Sequence, residues 1–320
     1  MVFLAGGCAT VAPTMNSKFQ NYTLDYSTPV EPALQTQLEN IDSTLRAKYG
    51  MTTEQTAVGL LDLRTLRLAM VHPDREEYGA SVPKIGILLA YFQLHPAAAT
   101  NLDAVTRHEL GLMIKASSNE MAAKFSQELG LKQIRQVLDS YHFYDANHGG
   151  GIWIGKHYGV DTERVGSPVG DNSHAATVRQ LLRFYLLLEQ GKLVSPAASK
   201  TMLEIFASPD IPPDDNKFVK ALAGPSPRRS AAERGGVAGR GQASGSGDEQ
   251  GSGHAGGRDV QILRKSGSWE NWLHDTAIIT GPGRHYILVA LTQHPKGDEY
   301  LVDLAVAVDD LMIRDAQTWQ

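Results

Sequence analysis

A chain of 320 residues, 42% of them apolar and with a formal net charge of −5, can bury a core large enough for one big domain or two lobes, which excludes global disorder. The acidic balance excludes nucleic acid as a partner, because polyanions are held by clustered Lys and Arg that displace counterions. The single cysteine, Cys8, excludes an intrachain disulfide and a thiolate metal cluster.

The first residues, Leu4-Ala-Gly-Gly-Cys8, resemble the end of a bacterial lipoprotein signal, with small residues leading to a Cys that takes lipid. A charged n-region is absent and the apolar run is short, so the start is read as clipped or wrongly assigned. A leader and tether are expected over residues 1–25, polar and mobile to about Asn21, with Cys8 as the lipidation site. The location that follows is periplasmic or membrane-anchored. Further on, no apolar run approaches the ~20 residues needed to span a bilayer.

From Glu31, Leu34, Leu38, Ile41 and Leu45 recur at helical spacing, and Gly50 ends that amphipathic helix. Two short apolar runs, residues 57–63 and 66–72, flank a tight polar turn and predict a hairpin. From Val82 to about Ile205 the pattern is helical almost throughout, with runs at 85–94, 110–114, 121–129, 134–138 and 175–188. Strand character returns at 260–263, 273–280 and 286–292, followed by an amphipathic helix over 300–313. A two-stranded hairpin is marginal alone, so strands from both chain ends are expected to share one sheet. The expected fold is α/β of the α+β type. It has a five-stranded antiparallel sheet with the N- and C-terminal helices on one face and an all-helical lobe on the other. The sheet lobe is assigned to 26–80 plus 258–320 and the helical lobe to 81–223. Residues 224–257, rich in Gly, Ser, Ala and Arg without apolar periodicity, are expected to form a disordered insert that the fold tolerates, because loop-closure cost rises slowly with length.

Three strings carry the chemistry: Ser81-Val-Pro-Lys84, Ser117-Ser-Asn119 and Lys265-Ser-Gly267. S-x-x-K alone should occur roughly once by chance in a chain of this size and composition. The ordered set, in the right secondary-structure contexts, is the signal. Ser81 falls at a loop-to-helix junction, where backbone N–H groups and the positive helix end favour developing negative charge. Lys84, three residues on, lies over the same face, so the two can act as nucleophile and base. For Lys84 to accept a proton near pH 7 its pKa must fall from about 10.4, which needs roughly 4–5 kcal/mol of destabilisation of the charged form. Burial and a second cation, Lys265, would supply it. Ser117 would relay a proton to the leaving nitrogen, and Asn119 would bind Lys84 and a substrate amide. Read alone, Ser81 is also a capping serine, Lys84 a solvated lysine, and Ser118 or Asn119 an ordinary N-cap. The Lys265 string is expected to begin a strand, with Gly267 permitting close approach of a ligand backbone. The N–H groups of Ser81 and Ser268 are the expected oxyanion donors, each worth ~3–4 kcal/mol of barrier. Trp269 and Trp272 are read as packing residues.

At these residues the chain resembles the class A serine β-lactamases and their broader relatives. The likeness extends to Met113-Ile-Lys-Ala-Ser-Ser-Asn-Glu-Met-Ala122, Asp171-Asn-Ser-His-Ala-Ala176 and His274-Asp-Thr-Ala-Ile-Ile279, and covers roughly residues 31–320. The resemblance implies that Ser81 is acylated, Lys84 is its partner, Ser117 the relay, Asn119 a substrate binder, and Lys265 with Ser266 the carboxylate-binding edge. It implies a small-molecule β-lactam substrate, no cofactor, no metal and a monomeric chain. A D-amino-acid peptidase, a small-ester hydrolase and a penicillin-binding sensor that stays acylated are the alternatives.

Three departures bear on activity. The Glu-x-x-x-Asn pattern that activates water in class A enzymes is missing between Gly149 and Asp171, where Glu163 is the only carboxylate of its kind and Arg164 with Asp171 is expected to close the loop neck. Without such a base, release of the acyl group should be slow and Lys84 would serve in both half-reactions. Ser118 stands where Asp is usual. The spacing from Ser81 to Ser117 is short, which predicts a trimmed helical lobe and a more open cleft. His148-Gly-Gly-Gly151 resembles a lipase oxyanion loop, but no G-x-S-x-G elbow exists in the chain. Histidines 142, 148, 157, 174 and 274 show no metal-binding spacing.

Overall fold

The computed structural model describes residues 17–161, 163–212, 217–223 and 260–318. Cys8 and the insert expected over 224–257 lie outside them. In chain order the elements begin with α1 (Ser17–Asn21), α2 (Pro32–Tyr49), β1 (Thr56–Asp62), β2 (Arg67–Val71), β3 (Glu77–Tyr78) and α3 (Lys84–Leu94). There follow α4 (Ala104–Ile114), α5 (Asn119–Leu129), α6 (Leu131–Ser140), β4 (Tyr144–Asp145), β5 (Gly150–Gly151), β6 (Trp153–Ile154) and β7 (His174–Ala176). The remainder are α7 (Val178–Glu189), α8 (Pro196–Ala207), α9 (Lys217–Leu222), β8 (Gln261–Trp269), β9 (Trp272–Gly281), β10 (Arg284–Gln293) and α10 (Gly297–Thr318).

The expected sheet is present, five antiparallel strands in the order β2-β1-β10-β9-β8. Register places Leu60 opposite Leu288 and Lys265 opposite Thr276. Strand side chains alternate between faces, so Val58, Leu60, Ala277, Ile279 and Leu288 pack with Leu34, Leu38, Tyr300 and Leu304 of the terminal helices. Leu61, Ile278, Ile287 and Val289 face the helical lobe through Leu181 and Leu182. Burying one such leucine contributes about 1.5–3 kcal/mol. Gly59 lets α7 sit against β1, since a Cβ there would lie 2.4 Å from Val178 and 2.7 Å from Leu182.

Helix α2 starts where the sequence predicts: Glu31 caps the amides of Ala33 and Leu34 at 3.1 and 2.7 Å, Pro32 occupies the first turn, and Gly50 ends it at φ 71°. Three expectations are corrected. The tether does not reach Asn21, because residues 17–21 form a helical turn with Phe19 buried, and the Phe19 carbonyl accepts a 2.6 Å hydrogen bond from Gln190 Nε2. Among the described residues of 141–176 there is no α-helix, only the 3-10 turn Ala146–His148 and β4 to β7, and Ala175 is strand, opposite Tyr78 and Trp153. The Lys265 string lies inside β8, not at its start, with β8 at the sheet edge beside the helical lobe.

Candidate active site

The turn that carries Ser81 is held by backbone bonds on both sides. Gly79 N–H donates to the His174 carbonyl at 2.9 Å, and Val82 N–H to the Gly79 carbonyl at 2.9 Å. Between them Ala80 has φ 46°, a left-handed conformation that costs a residue with a Cβ about 1 kcal/mol or more. Pro83 is the N-cap and α3 begins at Lys84. The helix is buried from Lys84 to Phe92, so its first side chain is a lysine in the protein interior.

Lys84 is 0% exposed. Its Nζ donates to the Ser117 carbonyl at 2.6 Å and to Asn119 Oδ1 at 2.7 Å, and lies 4.7 Å from the centre of the Tyr158 ring. Ser117 sits in the loop between α4 and α5 at φ 59°, a second left-handed residue at the site, and this turn presents its carbonyl and its hydroxyl to different partners. Ser118 is the N-cap of α5, accepting from Met121 N–H at 3.2 Å, so the plain capping role and the site role coexist in adjacent residues.

Lys265, also 0% exposed, reaches from β8 to the same serine. Its Nζ donates to Ser117 Oγ at 2.8 Å and to the Ser266 carbonyl at 2.8 Å. The Lys265 carbonyl accepts from Thr276 Oγ1 at 2.8 Å, which in turn pairs with Tyr185 OH at 2.8 Å. Two lysines from distant parts of the chain thus meet on Ser117.

Above this floor lies a cleft of about 390 Å³ lined by Ser81, Asn119, Ser268 and Trp269 on one side, and by Tyr158, Gly159 and Asp161 of the loop on the other. Gly159, at φ 68°, lets the loop cross Asn119, since a Cβ there would approach Asn119 Cβ to 3.1 Å. The loop is pinned from beneath by Glu76, which accepts from Tyr144 OH (2.9 Å), Gly170 N–H (3.1 Å), Asn172 Nδ2 (3.0 Å) and the Ser167 hydroxyl. Arg164 and Asp171 form the expected neck pair at 3.1 Å.

Two buried histidines brace the cleft in neutral form. His174 Nε2 donates to the Lys156 carbonyl at 3.0 Å and its Nδ1 accepts from Ser173 at 3.2 Å. His274 donates to the Tyr78 carbonyl at 2.8 Å and accepts from Thr292 N–H at 3.1 Å. Burial pushes the pKa of each down to about 4. Among the described residues no group of three or more His, Cys, Asp or Glu could hold a metal ion.

The residues singled out from sequence are distributed as follows. Ser81, Asn119 and Ser268 line the cleft; Lys84, Ser117 and Lys265 form the network beneath it. Ser266 is buried and is not among the lining residues. At Gly267 the space of the missing Cβ is taken by the Gly79 carbonyl at 2.8 Å, so the glycine lets β8 pass close to the turn before Ser81. Glu163 is exposed and not among the lining residues, whereas Asp161 is. Trp269, expected to pack, is 59% exposed on the cleft wall; Trp272 does pack, edge-on to Tyr78 at 6.0 Å. Sequence reading missed Tyr158, an aromatic between polar and Gly residues with no periodic signal. It also missed Lys217, buried beside the cleft with Nζ 2.8 Å from Ser268 Oγ and 3.5 Å from Asp298.

A family model described as the β-lactamase enzyme family matches residues 242–309, a stretch that holds Lys265 but neither Ser81 nor Ser117. No curated protein matches the sequence at a significant level. Among solved structures, the β-lactamase of Sphaerobacter thermophilus DSM 20745 is similar at a TM-score of 0.59 and 13% identity, covering 87% of this chain and 97% of that one. PBP-A is similar at 0.60 and 15%, covering 91% and 100%. A variant of the last common ancestor of Gram-negative class A β-lactamases is similar at 0.61 and 16%, covering 86% and 97%. The chain therefore has the β-lactamase/transpeptidase fold and resembles the class A and PBP-like serine hydrolases.

Proposed function

We propose that the protein is a serine acyl hydrolase of the β-lactamase type that is acylated at Ser81 by a β-lactam amide. The observation that carries this reading is the meeting of two buried lysines on one serine, Lys84 on the Ser117 carbonyl and Lys265 on the Ser117 hydroxyl, directly under the cleft that holds Ser81. Two ammonium groups sharing one serine repel, which favours loss of a proton from one of them. Lys84, one turn from Ser81, is then the base that takes the hydroxyl proton. Attack by Ser81 Oγ on the amide carbonyl forms the ester bond as the C–N bond breaks. Ser117 passes a proton to the leaving nitrogen, and Lys265 replenishes Ser117 through the same hydrogen bond. The N–H groups of Ser81 and Ser268 receive the developing oxyanion. Asn119 holds the substrate amide, and the Lys265 to Ser268 edge holds a substrate carboxylate. A lipid at Cys8 would place this cleft in the periplasm; that part of the proposal stands on sequence alone.

A second reading has its own support. The Tyr158 ring of the loop faces Lys84 at 4.7 Å, while Glu163 is exposed and does not line the cleft. This favours slow release of the acyl group, as a penicillin-binding sensor, a peptidase or an ester hydrolase of the same fold would show with β-lactams. A PBP-A variant of this fold has been captured as an acyl-enzyme with penicillin G.

Intact mass after mixing with penicillin G separates the readings. The expected result is a one-adduct species within minutes that decays slowly. Glu163→Gln should leave its lifetime unchanged, and a prolonged lifetime would give Glu163 the water-activating role. No adduct on the native protein would remove β-lactams as substrates.

A further inference from the structure

We propose that Tyr158 is a positioning residue for the acylation step, fixing at once the oxyanion-binding amide of Ser81 and the head group of Lys84. The inference rests on Ser81 being the nucleophile. Tyr158 OH donates to the Ala80 carbonyl at 3.0 Å, one residue before Ser81. The chain contains no cis peptide bond among the described residues, and in a planar trans peptide the C=O and N–H point in opposite directions. Pinning the Ala80 carbonyl therefore sets the direction of the Ser81 N–H, for which no backbone carbonyl among the described residues is an acceptor. That control matters because Ala80 is held at φ 46°, a conformation an L-residue leaves readily when nothing holds it.

The other face of the same side chain meets the base. Lys84 Nζ lies 4.7 Å from the ring centre, within cation–π range, while it donates to the Ser117 carbonyl and Asn119 Oδ1. Tyr158 itself has little freedom. It is 6% exposed and stacks on His174 with centroids 4.0 Å apart at 29°. His174 also supplies the carbonyl that takes the Gly79 N–H. One buried ring pair thus braces the residue before Ala80, the carbonyl of Ala80 and the ammonium of Lys84. A residue that merely filled space would need neither the hydroxyl nor the ring face in those places.

The test uses Tyr158→Phe, which keeps the ring, and Tyr158→Leu, which loses ring and hydroxyl. Acylation is followed with a fluorescent penicillin and, independently of the β-lactam reading, with a fluorophosphonate that labels reactive serines. Tyr158→Phe should slow labelling by both probes about 10- to 100-fold, less than the loss of a whole oxyanion donor, with the penicillin dissociation constant and the shape of the pH–rate profile unchanged. Tyr158→Leu should slow labelling further and move the acid limb to lower pH, since the ring favours the charged lysine. For a variant that does not fold, 3,5-difluorotyrosine at 158 keeps the shape and weakens the ring face, and should move the acid limb the same way. Labelling of Tyr158→Phe at the wild-type rate, or an acid limb unmoved without the ring, would overturn the proposal. Wild-type protein labelled by the fluorophosphonate but not by penicillin would overturn only the choice of substrate. Wild type labelled by neither would remove Ser81 as nucleophile and this role with it.

Discussion

On the proposed mechanism the chemistry turns on Lys84 and Lys265, both fully buried and hydrogen-bonded to groups of other elements. Replacing Lys84 by Met keeps the volume and removes the proton acceptor. Acylation should fall about 10²- to 10⁴-fold, the usual worth of a positioned base, as read by stopped-flow with a chromogenic β-lactam. Lys265→Ala should cost about 100-fold, with part of the loss in affinity because the carboxylate loses its counter-charge. A Lys84→Met protein that acylates at the wild-type rate would remove this lysine from the mechanism. Each variant also strands acceptors on Ser117 or Asn119, so a stability loss of about 1–3 kcal/mol should accompany the kinetic one.

At the level of elements, the loop that carries Tyr158 and Gly159 lines part of the cleft, and its far end is gathered on the carboxylate of Glu76. Hydrogen bonds to a charged group contribute about 1.5–3 kcal/mol each in favourable settings, so Glu76→Ala should free the loop without unfolding the sheet. Hydrogen exchange should show loss of protection at Gly170, whose N–H donates to Glu76, and at Asn172, whose N–H donates to the Ser167 hydroxyl that Glu76 holds, while β9 and β10 stay protected; unchanged protection at both would contradict the anchor. This loop is also where sequence reading ran out. The long strands β1, β9 and β10 are apolar runs bounded by turns and were readable as such, as were α2 and the junctions at Ser81 and Ser118. Strands β3, β6 and β7 are two or three residues long, too short to show a period of two, and exist only because Gly79, Gly155 and their neighbours pair across the fold. Ala175 was read as helix because it abuts the α7 pattern. The outward placement of Trp269 follows from its place at the end of an edge strand, which composition does not reveal.

For the whole molecule, two buried histidines tie the elements around the cleft: His274 links β9 to β3 and β10, and His174 links β7 to the loop at Lys156. Their folded pKa values near 4 lie below the ordinary 6.5. The unfolded chain therefore binds protons that the folded one does not between these values. The contribution is fully present above about pH 6.5 and is lost as pH falls toward 4, by up to ~3 kcal/mol per histidine at 1.36 kcal/mol per unit. Urea midpoints measured from pH 7.5 to 4.5 should fall across this window, and His274→Asn should flatten the fall. A profile flat through that window would show that the histidines are not held neutral. The three strings that stand far apart in the sequence meet where Lys265 on β8 reaches the Ser117 hydroxyl beneath the cleft that Ser81 lines.

The most direct measurement is the site of covalent attachment. After brief exposure to penicillin G and an acid quench, digestion and peptide mass analysis should place the penicilloyl group on Ser81 alone, and Ser81→Ala should carry none. Attachment to Ser117, or to any residue in the Ser81→Ala protein, would contradict the account.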